Sequence, residues 1–133
     1  MSTAATNKKV IAITGASSGI GEETAKQLVN NGYNVALLAR SEDKLRALVE
    51  ELGNDNAFAV KADVSDFNEL DKAFKQVSEH FGRIDGIFAN AGRGAKAAGI
   101  EKGDVDDWDG MLGANVNGLL YTAKAGLPSL RDT

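Results

Sequence analysis

The residues with the clearest chemical purpose are glycines set among hydroxyls: Thr14, Gly15, Ala16, Ser17, Ser18, Gly19, Ile20 and Gly21, in one unbroken run. Glycine has no Cβ, so backbone can turn sharply there or come close to another group. The apolar run Val10 to Thr14 precedes the motif, and an amphipathic stripe of Ile20, Ala25, Leu28 and Val29 follows it. A glycine turn between a strand and a helix is the setting in which such a motif holds a pyrophosphate. The unpaired N–H groups and the dipole of the first helical turn then face the anion. Gly15 suits the turn off the strand, Gly19 the approach of a bound group, and Gly21 close packing of helix on strand. No Gly-Lys-Ser/Thr follows the glycines, so a Walker A loop is excluded.

The second chemically informative stretch is Leu38-Ala39-Arg40-Ser41, at the end of the next apolar run. An acid at that point would accept hydrogen bonds from an adenosine ribose and repel a 2′-phosphate. Here Ala39 stands at the acidic position. Arg40 offers planar donors suited to phosphate oxygens, and Ser41 adds a hydroxyl. The alternative is that Arg40 is a solvated charge beside a loop. The pattern suits a phosphate better than a bare ribose hydroxyl.

Short apolar runs and amphipathic stripes alternate around these motifs. Strands are expected at Val10 to Thr14, Asn34 to Ala39, Ala57 to Ala62 and Ile84 to Ala91. Helices follow each: one stopping near Asn31-Gly32, and one from Ser41 or Glu42 to Gly53. A third carries Phe67, Leu70, Phe74, Val77 and Phe81 on one face, capped by Ser65 or Asp66 and ended by Gly82. Arg93 to Asp107 reads as irregular or mobile. A last helix, marked by Trp108, Met111, Leu112, Val116, Leu119 and Leu120, reaches Leu127 before Pro128, with Asp106 or Asp107 as its cap and Trp108 as its anchor. Fully apolar strands alternating with helices predict an α/β fold, a doubly wound parallel sheet in three αβα layers. The whole of 1–133 reads as a single dinucleotide-binding domain.

Composition narrows the function further. The chain of 133 residues is 43% hydrophobic and 26% charged with net charge −4, and its basic residues form no stripe, which argues against nucleic acid. The absence of cysteine excludes disulfides and thiolate chemistry. No apolar run approaches the roughly 18 to 20 residues that cross a bilayer, and Met1 to Lys9 does not resemble a signal peptide. A cytoplasmic protein without a membrane or nucleic-acid partner is the resulting expectation. His80 reads as a surface residue or a favourable charge at a helix end. Asp104, Asp106, Asp107 and Asp109 lack the ordered pattern of a calcium loop, and no metal site is expected.

The glycine spacing resembles that of the short-chain dehydrogenase/reductase family, whose TGxxxGIG motif Thr14 to Gly21 matches in full. The resemblance continues through Asp63-Val64, Asn90-Ala91-Gly92 and Asn115-Val116-Asn117-Gly118. It implies a Rossmann-like fold binding a nicotinamide dinucleotide, NADP(H) in preference to NAD(H) from the pattern Ala39-Arg40-Ser41, with Asp63 and Val64 against the adenine and Asn90, Ala91 and Gly92 near a ribose. The family usually has Asn-Asn-Ala-Gly, whereas position 89 here is Ala. Hydride exchange with a carbonyl or alcohol is the implied activity, served in the family by a Ser, a Tyr, a Lys four residues after the Tyr, and a helix Asn supporting a proton-relay water.

Asn115 matches that Asn. Tyr121 does not match the Tyr, since Ala125 follows at the lysine position and Lys124 has the wrong offset; it reads as helix packing, and Ser129 is given no catalytic role. The resemblance implies further strands and the rest of the catalytic set beyond this chain, in a longer, homo-oligomeric parent. A sheet cut after the fourth strand and its helix would expose an edge and apolar helix faces, making the isolated chain prone to self-association. The alternative is a dinucleotide-binding fragment without turnover.

Overall fold

The structure is a computed structural model, and it describes residues 7–133. Four parallel strands, β1 (Val10–Thr14), β2 (Asn34–Ala39), β3 (Ala57–Lys61) and β4 (Gly86–Ala89), lie in the order β3-β2-β1-β4. Between them run α1 (Gly19–Asn30), α2 (Glu42–Leu52) and α3 (Phe67–Phe81). After β4 come α4 (Val105–Leu112), a π-helical turn (Gly113–Asn117) and α5 (Gly118–Asp132). The reversal of strand order at β1 is the switch point at which an open α/β sheet forms a crevice beyond its strand ends.

The strands are apolar throughout because both faces of the sheet are covered. Val10, Ala12, Ala36 and Leu38 point into one core with Leu70, Phe74, Val77 and Ile84. Their neighbours Ile13, Val35, Leu37 and Ala39 point into the other core with Ala25, Leu45 and Leu48. This alternation along each strand produces the three-layer doubly wound α/β fold that the sequence predicts.

Several boundaries differ from expectation. β4 is shorter than Ile84 to Ala91: the Asp85 carboxylate is drawn aside to accept from Val10 N (2.8 Å) and Arg83, and Asn90 N turns back to Phe88 O (3.0 Å). β3 stops at Lys61. Asp66 caps α3 by accepting from Glu69 N (3.2 Å), while Ser65 bonds instead to Asp63. The cap of α4 is Asp104, not Asp106 or Asp107, and it accepts from Asp106 N (3.0 Å). Trp108 covers Gly103, where a Cβ would lie 1.9 Å from its ring.

The last helix also runs through Pro128 instead of ending before it. Proline there removes one ladder bond, and contacts with α3 and the segment that follows it hold the final turn. Ser78 and Ser129 hydroxyls lie 2.8 Å apart, and Ile84 N donates to Thr133 Oγ1 (3.0 Å). Ser129 is thus a helix-contact residue. Likewise Tyr121 packs edge-on to Phe67, with ring centroids 6.0 Å apart. His80 is not a free surface charge: its ring stacks on Phe58 at 4.1 Å, and burial lowers its pKa.

The face of α5 turned inward is made of small residues, Gly118, Thr122, Ala125 and Gly126. A Cβ at Gly118 would lie 2.7 Å from Val64 Cγ2, and one at Gly126 2.2 Å from Ile87 Cδ1. Glycine at both lets the helix come this close. Leu112, Val116, Leu119, Leu120 and Leu127 are left at least half exposed, and β4 has an open edge.

Candidate functional site

The glycine turn leaves β1 at Gly15, which adopts φ +67°. A Cβ there would lie 2.8 Å from Ala91 Cα, so the turn is packed directly on the segment after β4. A Cβ at Gly21 would meet Gly15 O at 2.3 Å and Asn90 Nδ2 at 2.8 Å, which fixes α1 hard against the turn. Gly19 opens α1 with φ +57° and has free space where its Cβ would stand. No side chain caps the first turn of α1. Gly15 thus makes the turn and Gly21 lets helix pack on strand, while Gly19 leaves open space beside the turn.

Two hydrogen bonds stitch β4 to this turn. Asn90 Nδ2 donates to Gly15 O (3.3 Å), and Ala91 N donates to the buried Thr14 hydroxyl (3.1 Å). A cleft of about 640 Å³ lies above them. Its walls are Gly15, Ser17, Ser18 and Ile20 from the first turn; Arg40 and Ser41 from the end of β2; Asp63 and Val64 after β3; and Asn90, Ala91 and Gly92 after β4. Thr14, Gly19, Gly21 and Asn115 are not among the lining residues; the first and the last two support that wall from behind through the contacts described here.

Asp63 accepts from both Ser65 N (2.9 Å) and Ser65 Oγ (2.7 Å). Burial is the largest influence on its carboxyl and raises the pKa. The Ser65 hydrogen bonds and the nearby Arg40 charge outweigh it, leaving the pKa below its ordinary value. Asp63 is therefore a carboxylate at neutral pH, in a cleft whose wall also carries the cations Arg40 and Lys44.

Asn115 sits in the π-helical turn, a distortion that often marks functional positions. Its side-chain oxygen accepts from Arg93 N (2.7 Å) and its amide donates to Arg93 O (2.8 Å). A Cβ at Gly92 would lie 2.7 Å from that oxygen, so Gly92 makes room for the clamp. The side chain thus holds backbone beside the cleft.

The sequence reading overlooked Lys44, Arg93 and Gly110, which also line the cleft. Lys44 was findable. As the third residue of α2 it brings a positive charge to the positive end of the helix, a position where acids are favoured. A residue that breaks a local rule invites a functional reason. Arg93 carried no such signal, because its partner Asp107 lies across an irregular segment. A second hollow, of about 460 Å³, opens between α2 and the free edge of β3 around Phe58 and His80, away from the glycine turn.

A parallel sheet with a glycine turn at its switch point and an open cleft above it defines a Rossmann-type dinucleotide-binding fold. The short-chain dehydrogenase family model matches residues 9–133, and the chain belongs to that family. Among curated relatives, an uncharacterized oxidoreductase of Staphylococcus haemolyticus is 42% identical over 122 residues, covering 92% of this chain and 52% of its own. An oxidoreductase of Botryotinia fuckeliana is 42% identical over 124 residues, covering 93% and 45%. The chain thus spans about half the length of the curated relatives it matches.

Solved structures agree. An alcohol dehydrogenase from Thermococcus sibiricus, complexed with 5-hydroxy-NADP, superposes with TM-score 0.88 at 38% identity, over 96% of this chain and 55% of that one. A 3-ketoacyl-(acyl-carrier-protein) reductase from Brucella melitensis, complexed with NADH, gives 0.89 at 33% identity, over 93% and 51%. Related proteins therefore bind either nicotinamide cofactor. No helix among the described residues is long and apolar enough to cross a membrane.

Proposed function

We propose that this chain is the cofactor-binding domain of an NADP(H)-dependent oxidoreductase acting on a carbonyl or alcohol. The observation that carries the cofactor choice is the pairing of Arg40 with Lys44 at the β2 end of the cleft, where Ala39 replaces an acid. The Ser41 hydroxyl stands beside them and caps no helix. Two cations and a hydroxyl suit a 2′-phosphate, whereas a bare ribose hydroxyl needs an acceptor.

The remaining site residues have proposed roles that follow from position. Gly15, Ser17, Ser18, Gly19 and Ile20 frame the uncapped first turn of α1 for the pyrophosphate. Asp63, with Val64 beside it, accepts from the adenine amino group. Asn90, Ala91 and Gly92 line the path of the second nucleoside, while Thr14 and Gly21 fix the turn. When bound, the nicotinamide supplies or takes the hydride. Asn115 positions the backbone at that end of the cleft.

A second reading, binding without turnover by these 133 residues, is favoured by one sequence fact. Asn115 is the single residue here that matches the family's catalytic set, and Tyr121 lacks a lysine four positions on. Titration of the chain with NADPH and NADH, followed by an assay of NADPH oxidation with carbonyl substrates, tests both. Preferential NADPH binding supports the cofactor reading; turnover would remove the second reading.

A further inference from the structure

The β2 end of the cleft reads the adenosine side of a dinucleotide, so its other nucleoside lies across β1, over the end of β4. There the wall is formed by Gly92 and Arg93 with Gly110 and Ala114 opposite. Arg93 is tied down at both ends. Asn115 grips its backbone N–H and carbonyl. Its guanidinium donates through Nη1 to Asp107 Oδ1 (3.0 Å) and through Nη2 to Asp107 O (3.0 Å), with Nη1 also reaching Gly94 O (3.3 Å).

Asp107 completes the arrangement by accepting from Lys96 N through Oδ2 (2.7 Å). One side chain thus joins α4 to two points of the irregular segment after β4. Gly110 is needed for it, since a Cβ there would lie 2.1 Å from Arg93 Nη2. The charge of Arg93 is spent on a carboxylate whose side chain is only 13% exposed. Unlike Arg40 and Lys44, it is not offered to an anion in the cleft.

We propose that Arg93 is a positioning residue: by hanging residues 94–104 on Asp107, it sets the cleft wall against which the second nucleoside and its reaction partner sit. The inference rests on the dinucleotide reading above and adds the group that orders its far end. A lysine could not replace it fully, because a single ammonium lacks the planar fork that reaches Asp107 Oδ1 and Asp107 O together.

The test uses the 133-residue chain and its variants Arg93→Ala, Arg93→Lys and Asp107→Asn. Binding of 2′,5′-ADP, which probes only the adenosine end, is compared with binding of NADPH and with the fluorescence enhancement of its reduced nicotinamide. Amide exchange across residues 94–104 is measured alongside. Arg93→Ala and Asp107→Asn should leave the 2′,5′-ADP Kd within about twofold, as expected of distant independent sites. They should raise the NADPH Kd about tenfold, the scale of one charge-assisted hydrogen bond. The fluorescence enhancement should fall and the Lys96 amide should exchange faster, with Arg93→Lys recovering part of each.

Asp107→Asn keeps the side chain's shape and carries the same expectation if Arg93→Ala fails to fold. Unchanged NADPH binding and fluorescence in the variants would overturn the inference alone. So would an equal loss of both ligands, which would mark a general structural role. Wild-type chain that binds neither ligand would overturn the dinucleotide reading and this one with it.

Discussion

Arg40→Ala is the most informative single change at the proposed cofactor cleft. Arg40 stands at the end of β2 beside Ser41 and Lys44, close enough to Asp63 for its charge to favour that carboxylate. A hydrogen bond to a charged group contributes about 1.5–3 kcal/mol, and each 1.4 kcal/mol is about tenfold in Kd. The NADPH Kd should therefore rise about 10- to 100-fold. Part of that loss comes from Asp63, which would face the phosphate without its neutralising neighbour. NADH carries no 2′-phosphate, so its Kd should change little or improve. Calorimetric titration of both cofactors at low and at about 0.5 M salt is the assay. The preference for NADPH should shrink as salt rises, because the cations are partly exposed and screening shortens their reach below about 10 Å. A parallel loss of NADH and NADPH would refute the argument by showing that Arg40 supports the fold and not the phosphate. Unaltered NADPH binding would refute it as directly.

Four further outcomes follow from the geometry. Lys44→Ala should weaken NADPH severalfold, less than Arg40→Ala, because an exposed ammonium acts as a point charge without a planar fork; equal losses in the two variants would contradict this. Gly21→Ala should lower stability by about 1–3 kcal/mol in urea unfolding, since the Cβ must displace the Gly15 carbonyl, and a change below about 0.5 kcal/mol would be inconsistent with that packing. The carboxyl of Asp85 is held below its ordinary pKa, mainly by the hydrogen bonds from Arg83, against the opposing effect of burial and with help from Val10 N–H. A lowered folded-state pKa gives stability present above the unfolded value and lost as pH falls through the folded one, so Asp85→Asn should flatten the acid limb of a pH–stability curve below about pH 4. The chain should self-associate through its exposed apolar face, and Leu112→Lys with Leu120→Lys should return its sedimentation towards the monomer.

The elements that the sequence revealed most clearly are those whose own pattern decides them. VIAIT and NVALLA read as strands buried on both faces, and the period of Leu70, Phe74, Val77 and Phe81 as one side of a helix, and the structure has them so. The last helix shows where this reasoning stops. Its leucines carry the apolar signal, yet Leu119 and Leu120 face outward while Gly118, Thr122, Ala125 and Gly126 face the core. Close packing selects for the absence of side chain, and a hydrophobicity pattern gives glycine almost no weight. Pro128 misled for a related reason. A local rule ends the helix there, but the contact of Ser129 with Ser78 in α3 and that of Thr133 with Ile84 N–H outweigh one missing ladder bond.

The cleft divides along the same line. Gly15 and Gly21 were legible because a strand-to-helix turn calls for them within seven residues, whereas the Asn90 and Ala91 contacts that also require them were not. Asp63 and Asn90 were named only through resemblance, since nothing near them in sequence shows that they share a wall. The pairing of Arg93 with Asp107 was not legible: Asp107 reads as a candidate helix cap and Arg93 as part of an irregular segment until the chain folds and brings them within 3.0 Å. Their pairing explains a choice that the sequence leaves arbitrary, namely glycine at position 110, where any larger residue would meet the guanidinium. Gly110→Ala consequently makes a prediction about a distant event. It should loosen the Lys96 amide and the 94–104 segment as Arg93→Ala does, while leaving α1 and the glycine turn as protected from exchange as before. Helix propensity cannot be the cause of such loosening, because alanine favours the helix more than glycine does; unchanged exchange across 94–104 would show that the guanidinium tolerates a methyl group there and would refute the contact as the reason for the glycine.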